Sequence, residues 1–151
     1  MQGYADWNDT ANNPNETDSK TVQLFAGYQS EMINAGALFA YQRREPVPGG
    51  RSARDLNLVS VFGNMNVTET ITAFLRLDHL FNPYIGGRNN SYLPFAENAE
   101  PTFLVGGADY EIEENIRLMP NIEAILYGSS IGSGSRPDIS IIPRLTLFYQ
   151  L

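Results

Sequence analysis

Between Leu104 and Tyr127 the sequence reads LVGGADYEIEENIRLMPNIEAILY, and the way these residues alternate decides the fold. Before the Glu113-Glu114-Asn115 stretch, Leu104, Ala108, Tyr110 and Ile112 fall on one face, against Phe103, Asp109 and Glu111 on the other. After it, Ile116, Leu118, Ile122, Ala124 and Leu126 oppose Arg117, Asn121, Glu123 and Tyr127. A period of two over this length is a strand signal, and two such runs across a short polar joint make a hairpin. With Glu113 to Asn115 as a three-residue turn, Ile112 stands opposite Ile116, Glu111 opposite Arg117, and Tyr110 opposite Leu118. Apolar then meets apolar and acid meets base, as antiparallel neighbours prefer.

The same alternation runs outward in both directions. The chain ends in RLTLFYQL, with Leu145, Leu147, Tyr149 and Leu151 on one face and Arg144, Thr146, Phe148 and Gln150 on the other. Upstream, TITAFLRLDHL sets Ile71, Ala73, Leu75 and Leu77 against Thr72, Phe74, Arg76 and Asp78. MINAGALFAYQRRE and TVQLFAGY repeat the pattern, whereas LNLVSVFGNM (Leu56 to Met65) is apolar on both faces, so the direction of Phe62 depends on the following turn and stays open. GYADW adds a short eighth strand at the start. No helical period competes over a comparable length.

The joints alternate too. Asn8 to Lys20, Pro46 to Ala53, Asn82 to Glu100 and Ser129 to Pro137 are long; Gln29 to Met32, Asn66 to Thr68 and Glu113 to Asn115 are short. All short turns therefore lie at one end of the sheet. That asymmetry belongs to outer-membrane barrels, with tight periplasmic turns and long outer loops. A soluble sandwich has no such rule.

Composition agrees and excludes alternatives. The 151 residues make one domain, 1–151. There is no cysteine, hence no disulfide framework, thiolate nucleophile or cysteine-bound metal. Ten Lys+Arg against 17 Asp+Glu give a net charge of -7, which repels nucleic acid. No run approaches the ~20 apolar residues of a spanning helix, but spanning strands need only about 10, each with one apolar face.

The fold expected is an all-β, antiparallel, up-and-down transmembrane β-barrel with about eight strands in this chain, short turns at one end and long loops at the other. In a barrel the apolar face meets lipid, so Arg76, Asp78, Asp109, Glu111, Arg117, Asn121, Glu123 and Arg144 line the lumen. Glu123 and Arg144 stand at similar height on adjacent strands and are expected to form an ion pair. Tyr28, Tyr41, Tyr110 and Tyr149 sit near strand ends on the apolar face, where a membrane aromatic girdle belongs. A soluble, lipocalin-like ligand-binding barrel would reverse the facing.

Three stretches resemble Gram-negative outer-membrane porin-like barrels, in particular the C-terminal part of the phosphate-selective porin group: AFLRLDHLFNP, the hairpin quoted above, and RLTLFYQL. The resemblance implies a bacterial outer-membrane location, passive diffusion of small solutes or ions, and a lipid bilayer as partner. It also implies a C-terminal assembly signal, Leu145, Leu147, Tyr149 and Leu151, read by the outer-membrane assembly machinery; the family usually ends in Phe. Many porins are trimers, so a homo-oligomer is compatible. Members have about sixteen strands, twice the number here, and the abrupt start in MQGYADW favours a C-terminal portion of a larger barrel. A self-contained eight-stranded barrel with a structural or adhesive role is the alternative. Lys20 is the only lysine, so phosphate selectivity does not follow.

Other signals are weak. DWNDTANNPNETD lacks the glycine and terminal acid of a calcium loop. His79 is the only histidine and Ser91 has no motif around it, so no catalysis is expected. The Asn-X-Ser/Thr triplets at Asn15, Asn66 and Asn89 are incidental in a bacterial protein. SSIGSGS has no helix after it and is no phosphate cradle. No cofactor or metal is implied.

Overall fold

The computed structural model describes residues 1–8, 19–45, 53–83, 95–96, 98–130 and 136–150. Eight strands follow one another: β1 (Gln2–Asn8), β2 (Ser19–Gln29), β3 (Ile33–Arg44), β4 (Arg54–Asn66), β5 (Ile71–Leu80), β6 (Ala99–Glu113), β7 (Ile116–Ser130) and β8 (Ser140–Tyr149). They form a single sheet in chain order, every neighbouring pair antiparallel. Among the described residues there is no helix. Alternation of branched and aromatic residues with small or polar ones accounts for the strands, because each type fits one side of a pleated surface.

The three tight joints lie at one end, as their lengths predict. At the β2–β3 turn the Ser30 hydroxyl both donates to the Ile33 carbonyl (3.1 Å) and accepts the Ile33 N–H (3.0 Å). Between β4 and β5 the Thr68 hydroxyl accepts the Ile71 N–H at 3.0 Å. They add to backbone hydrogen bonds across the same turns, from Ser30 N–H to the Ile33 carbonyl (2.8 Å) and from Val67 N–H to the Ile71 carbonyl (2.8 Å).

The hairpin of β6 and β7 differs from its expected register in one place. Glu111 faces Arg117 and Tyr110 faces Leu118, as predicted, but Ile116 faces Glu113 rather than Ile112, across a register shift between Glu111 and Glu113. The turn is Glu114-Asn115, one residue shorter than expected, and Ile112 becomes the extra residue of a bulge. The tight turn places Asn115 beside the end of β8, where its carbonyl accepts the Gln150 N–H (3.0 Å). Pairing also lapses between Gly107↔Asn121 and Tyr110↔Leu118, at Pro120, which has no N–H to give.

Following the hydrogen-bonding direction from Gln2 leads through Phe25, Leu38, Ser60, Asp78, Phe103 and Ile125 to Ser140. The row thus starts at the turn end of β1 and finishes at the loop end of β8. Steady slippage in one direction is what strands inclined by about 35–45° to a barrel axis require. The sheet nevertheless stays open: β1 pairs only with β2 and β8 only with β7. β8 is therefore an edge strand and does not close on β1, so the eight strands form an open sheet and not the closed barrel of the expected fold.

The two faces differ in shelter as well as in chemistry. Along β2 the positions from Ser19 to Ala26 alternate between half-buried and exposed, and β8 does the same from Ser140 to Leu145. The sheltered set is always the polar-face register, so the sheet curls toward its polar side. On this inner side, at the loop end, Ala99, Phe103, Ile125 and Tyr127 form a buried cluster, against which Phe95, Ala96 and Val105 pack. The Tyr127 hydroxyl accepts the Ala96 N–H at 3.0 Å, and the Phe95 ring stands edge-on to Phe103. Most of the exposed large apolar side chains belong to the opposite face.

Candidate functional site

The outer face comes first because it sets the environment of everything else. On β3 the outward positions from Ile33 to Tyr41 are Ile, Ala, Ala, Phe and Tyr; on β7 those from Leu118 to Leu126 are Leu, Pro, Ile, Ala and Leu; on β8 they are Ile141, Pro143, Leu145, Leu147 and Tyr149. None is charged, over about nine residues per strand, the length of a tilted spanning strand. They are also bare: Leu24 is 54%, Ile122 57% and Leu145 69% exposed. Leaving such a surface in water forgoes about 25 cal/mol for each Å² of apolar area.

Tyrosines mark the ends of this band. Tyr28, Tyr110 and Tyr149 all point outward at the turn end, and Tyr41 points outward near the loop end. The Tyr41 hydroxyl donates to Asp55 Oδ1 (2.8 Å), and Arg43 approaches the same carboxylate. Charges on this face therefore begin where the aromatic row stops. A shallow depression of about 680 Å³ lies over Gly63 on the outer side, with Val61, Met65, Leu75 and Leu77 around it. It holds no charged group to fix a ligand's orientation.

The inner face carries all eight residues proposed for the lumen, and the registers put them on one side of the sheet. The seven charged ones fall into three groups. Arg117 donates to Asp109 (3.0 Å) and Glu111 (2.9 Å) near the turn end. Arg76 Nε donates to both oxygens of Asp78, at 3.0 and 2.9 Å. Arg144 Nε lies 2.8 Å from Glu123 Oε2, the ion pair that strand heights predict. Glu123 is only 6% exposed, and the nearby guanidinium offsets the cost of burying a carboxylate. Asn121 Nδ2 donates to the Met119 carbonyl instead of to a charged neighbour.

Every one of these charges sits on β5 to β8. The inner face of β2 to β4 is different: between Thr21 and Gln29, Asn34 and Gln42, and Leu56 and Asn66, its inward side chains are uncharged. Phe62, whose direction the sequence left open, points inward beside Arg76 in register and near-parallel to Phe25, with ring centroids 6.1 Å apart and 15° between planes. The two rings meet over Gly36, where an added Cβ would lie 2.8 Å from Phe62 and 3.0 Å from Phe25. Only glycine leaves room for them. A recess of about 340 Å³ next to these rings is edged by Gln29, Asn34 and Asn64. Sequence reasoning missed this feature, because amides and glycines lack the alternating charge that drew attention to β5 to β8.

Several sequence candidates lie outside the described residues: Leu151, Ser91, Asn15, Asn89 and most of the acidic first loop and the glycine-rich last loop. Asn66 is described and is used structurally, accepting from the Thr72 hydroxyl (3.0 Å). His79 is also used structurally, with Nδ1 2.8 Å from the Thr102 hydroxyl and its ring edge-on to Phe81. Among the described residues no group of three or more His, Cys, Asp or Glu is placed to hold a metal ion.

No family model matches the chain, and neither a curated protein nor a solved structure matches it.

Proposed function

We propose that this sheet is the wall of a bacterial outer-membrane β-barrel of porin type, through which small solutes or ions diffuse passively. The observation that carries this reading is the facing: a bare, uncharged apolar face turned outward, with three tyrosines at its turn end and Tyr41 near its loop end, and a sheltered polar face holding the ion pairs. A soluble ligand-binding barrel needs the opposite arrangement, with its apolar residues inside. The outer face then meets lipid, Tyr28, Tyr110 and Tyr149 sit at one interface and Tyr41 at the other. The outward residues Leu145, Leu147 and Tyr149 of β8 would carry the signal for the assembly machinery.

A bilayer tolerates no open sheet edge. In the membrane β1 and β8 therefore pair, with each other or with further strands. The two outcomes differ in function, since about eight strands enclose a side-chain-filled interior and about sixteen enclose a water-filled channel. The paired state of the inner charges favours, as a second reading, a small closed barrel with a locked polar network.

Conductance across planar bilayers, using protein refolded in detergent, decides between them. Stepwise ion currents are the result expected of the pore. A protein that is folded by electrophoresis with and without boiling, yet passes no current, would replace the pore with the small barrel. A protein that stays dispersed and folded without detergent would remove both.

A further inference from the structure

The recess beside Phe25 and Phe62 has a chemistry of its own, and we infer that it is a binding platform for the ring of a neutral sugar. This deepens the pore reading by naming a solute class, and it rests on the polar face being accessible to solutes. Phe25 and Phe62 supply aromatic ring surface beside the inward amides Gln29, Asn34 and Asn64, with Phe62 37% exposed. Gly36 exists in a form that lets both rings approach, as no other residue would.

The polar groups around the rings select the ligand. Asn34 Nδ2 donates to Asn64 Oδ1 at 3.0 Å, which orients both amides and leaves Asn34 Oδ1 as an acceptor and Asn64 Nδ2 as a donor. Gln29, opposite Asn34 in register, adds a third exposed amide. A pyranose ring has an apolar C–H face for an aromatic surface and hydroxyls at its rim that both donate and accept. Amides match those hydroxyls better than ionised groups, which offer only one role each. An anion would need a free cation, and the nearest in register, Arg76, already makes two hydrogen bonds to Asp78. A mostly apolar recess with a few convergent polar groups is the usual form of a small-molecule site.

The test uses the whole protein refolded in a detergent without a sugar headgroup, with maltotriose as the probe. Saturation transfer from protein to ligand protons and a calorimetric titration are read together. The expected result is contact with the C–H face of the sugar and a dissociation constant of about 1 to 10 mM. Phe62→Leu keeps an apolar side chain but loses the flat ring and should weaken binding about 3- to 10-fold. Gly36→Ala, which pushes the rings aside, should weaken it similarly, while Thr146→Ala on β8 should change nothing. No transfer to maltotriose from folded protein, or equal binding by Phe62→Leu, would overturn the assignment. So would tighter binding of adenosine or glucose 6-phosphate than of maltotriose. Ion channels without sugar contact would leave the pore standing and remove the platform; sugar contact without channels would do the reverse.

Discussion

The inner wall has two halves built on opposite principles. β5 to β8 carry Arg76, Asp78, Asp109, Glu111, Arg117, Glu123 and Arg144, each held by a partner of opposite charge. β2 to β4 carry amides, two phenylalanine rings and the glycine between them, with no charge below the loop end. The charged half is held by electrostatics and is intolerant of losing one member. The neutral half is held by shape and is intolerant of gaining a methyl group. The outer face is the same for both.

The largest expected effect is in the charged half. Glu123→Ala takes away the carboxylate that faces Arg144, and removing one member of a sheltered pair costs about 2 to 4 kcal/mol. Denaturant midpoints in detergent read this directly. The double variant Glu123→Ala with Arg144→Ala should recover most of the loss, and a purely additive double variant would show that the two charges are not coupled.

Next comes a control that both halves should share. Leu24→Arg on β2 and Ile122→Arg on β7 both place a charge mid-strand on the outer face, at 54% and 57% exposed positions. In lipid each should cost about 2 to 4 kcal/mol, as a charge does near the bilayer midplane. Equal costs confine the difference between the halves to the inner wall. A negligible cost for both would mean that this face meets water, and the membrane reading would fall.

Gly36→Ala probes the neutral half. Its new methyl group meets Phe62 at 2.8 Å and Phe25 at 3.0 Å, so a ring must move. Overpacking of this kind costs about 1 to 3 kcal/mol. Adding Phe62→Leu should relieve the crowding, which the same unfolding measurement detects; no relief would mean that the strain lies in the backbone.

The charged half was legible in the sequence because its signal is periodic. Arg117, Glu123 and Arg144 interrupt apolar alternation at every second position, so their shared face, the Glu111↔Arg117 pairing and the Glu123 ion pair followed from counting. The neutral half was not. β4 is apolar on both faces, with Leu56, Leu58 and Phe62 inward and Val59 and Val61 outward, and period-two reading has no contrast to work with there. The Phe62 direction had to come from the β4–β5 turn, which no standard turn dipeptide marks: backbone bonds to the Ile71 carbonyl close it together with the Thr68 hydroxyl. The bulge at Ile112 was hidden for a similar reason: a turn one residue shorter shifts only the last pair and leaves every other partner unchanged. Closure was beyond counting altogether, since alternation specifies faces and neighbours but not what meets the first and last strand.

The smallest structural effect carries the most functional information. The Arg117 side chain is 42% exposed and pairs with two carboxylates near the turn end. At that exposure Arg117→Gln should cost only about 0.5 to 1 kcal/mol of stability. Its effect on permeation should be clearer, because it frees Asp109 and Glu111 together on a wall where three arginines face four acids. In a pore, cation preference should rise, read as a shift of reversal potential in a salt gradient. The shift should shrink between 0.1 M and 1 M salt, as the screening length falls from about 10 Å to about 3 Å. The variants of the neutral half should leave that potential unchanged. If Gly36→Ala moved it as much as Arg117→Gln, the two halves would not be separate devices. The ion path would then run past the aromatic rings as closely as past the charges.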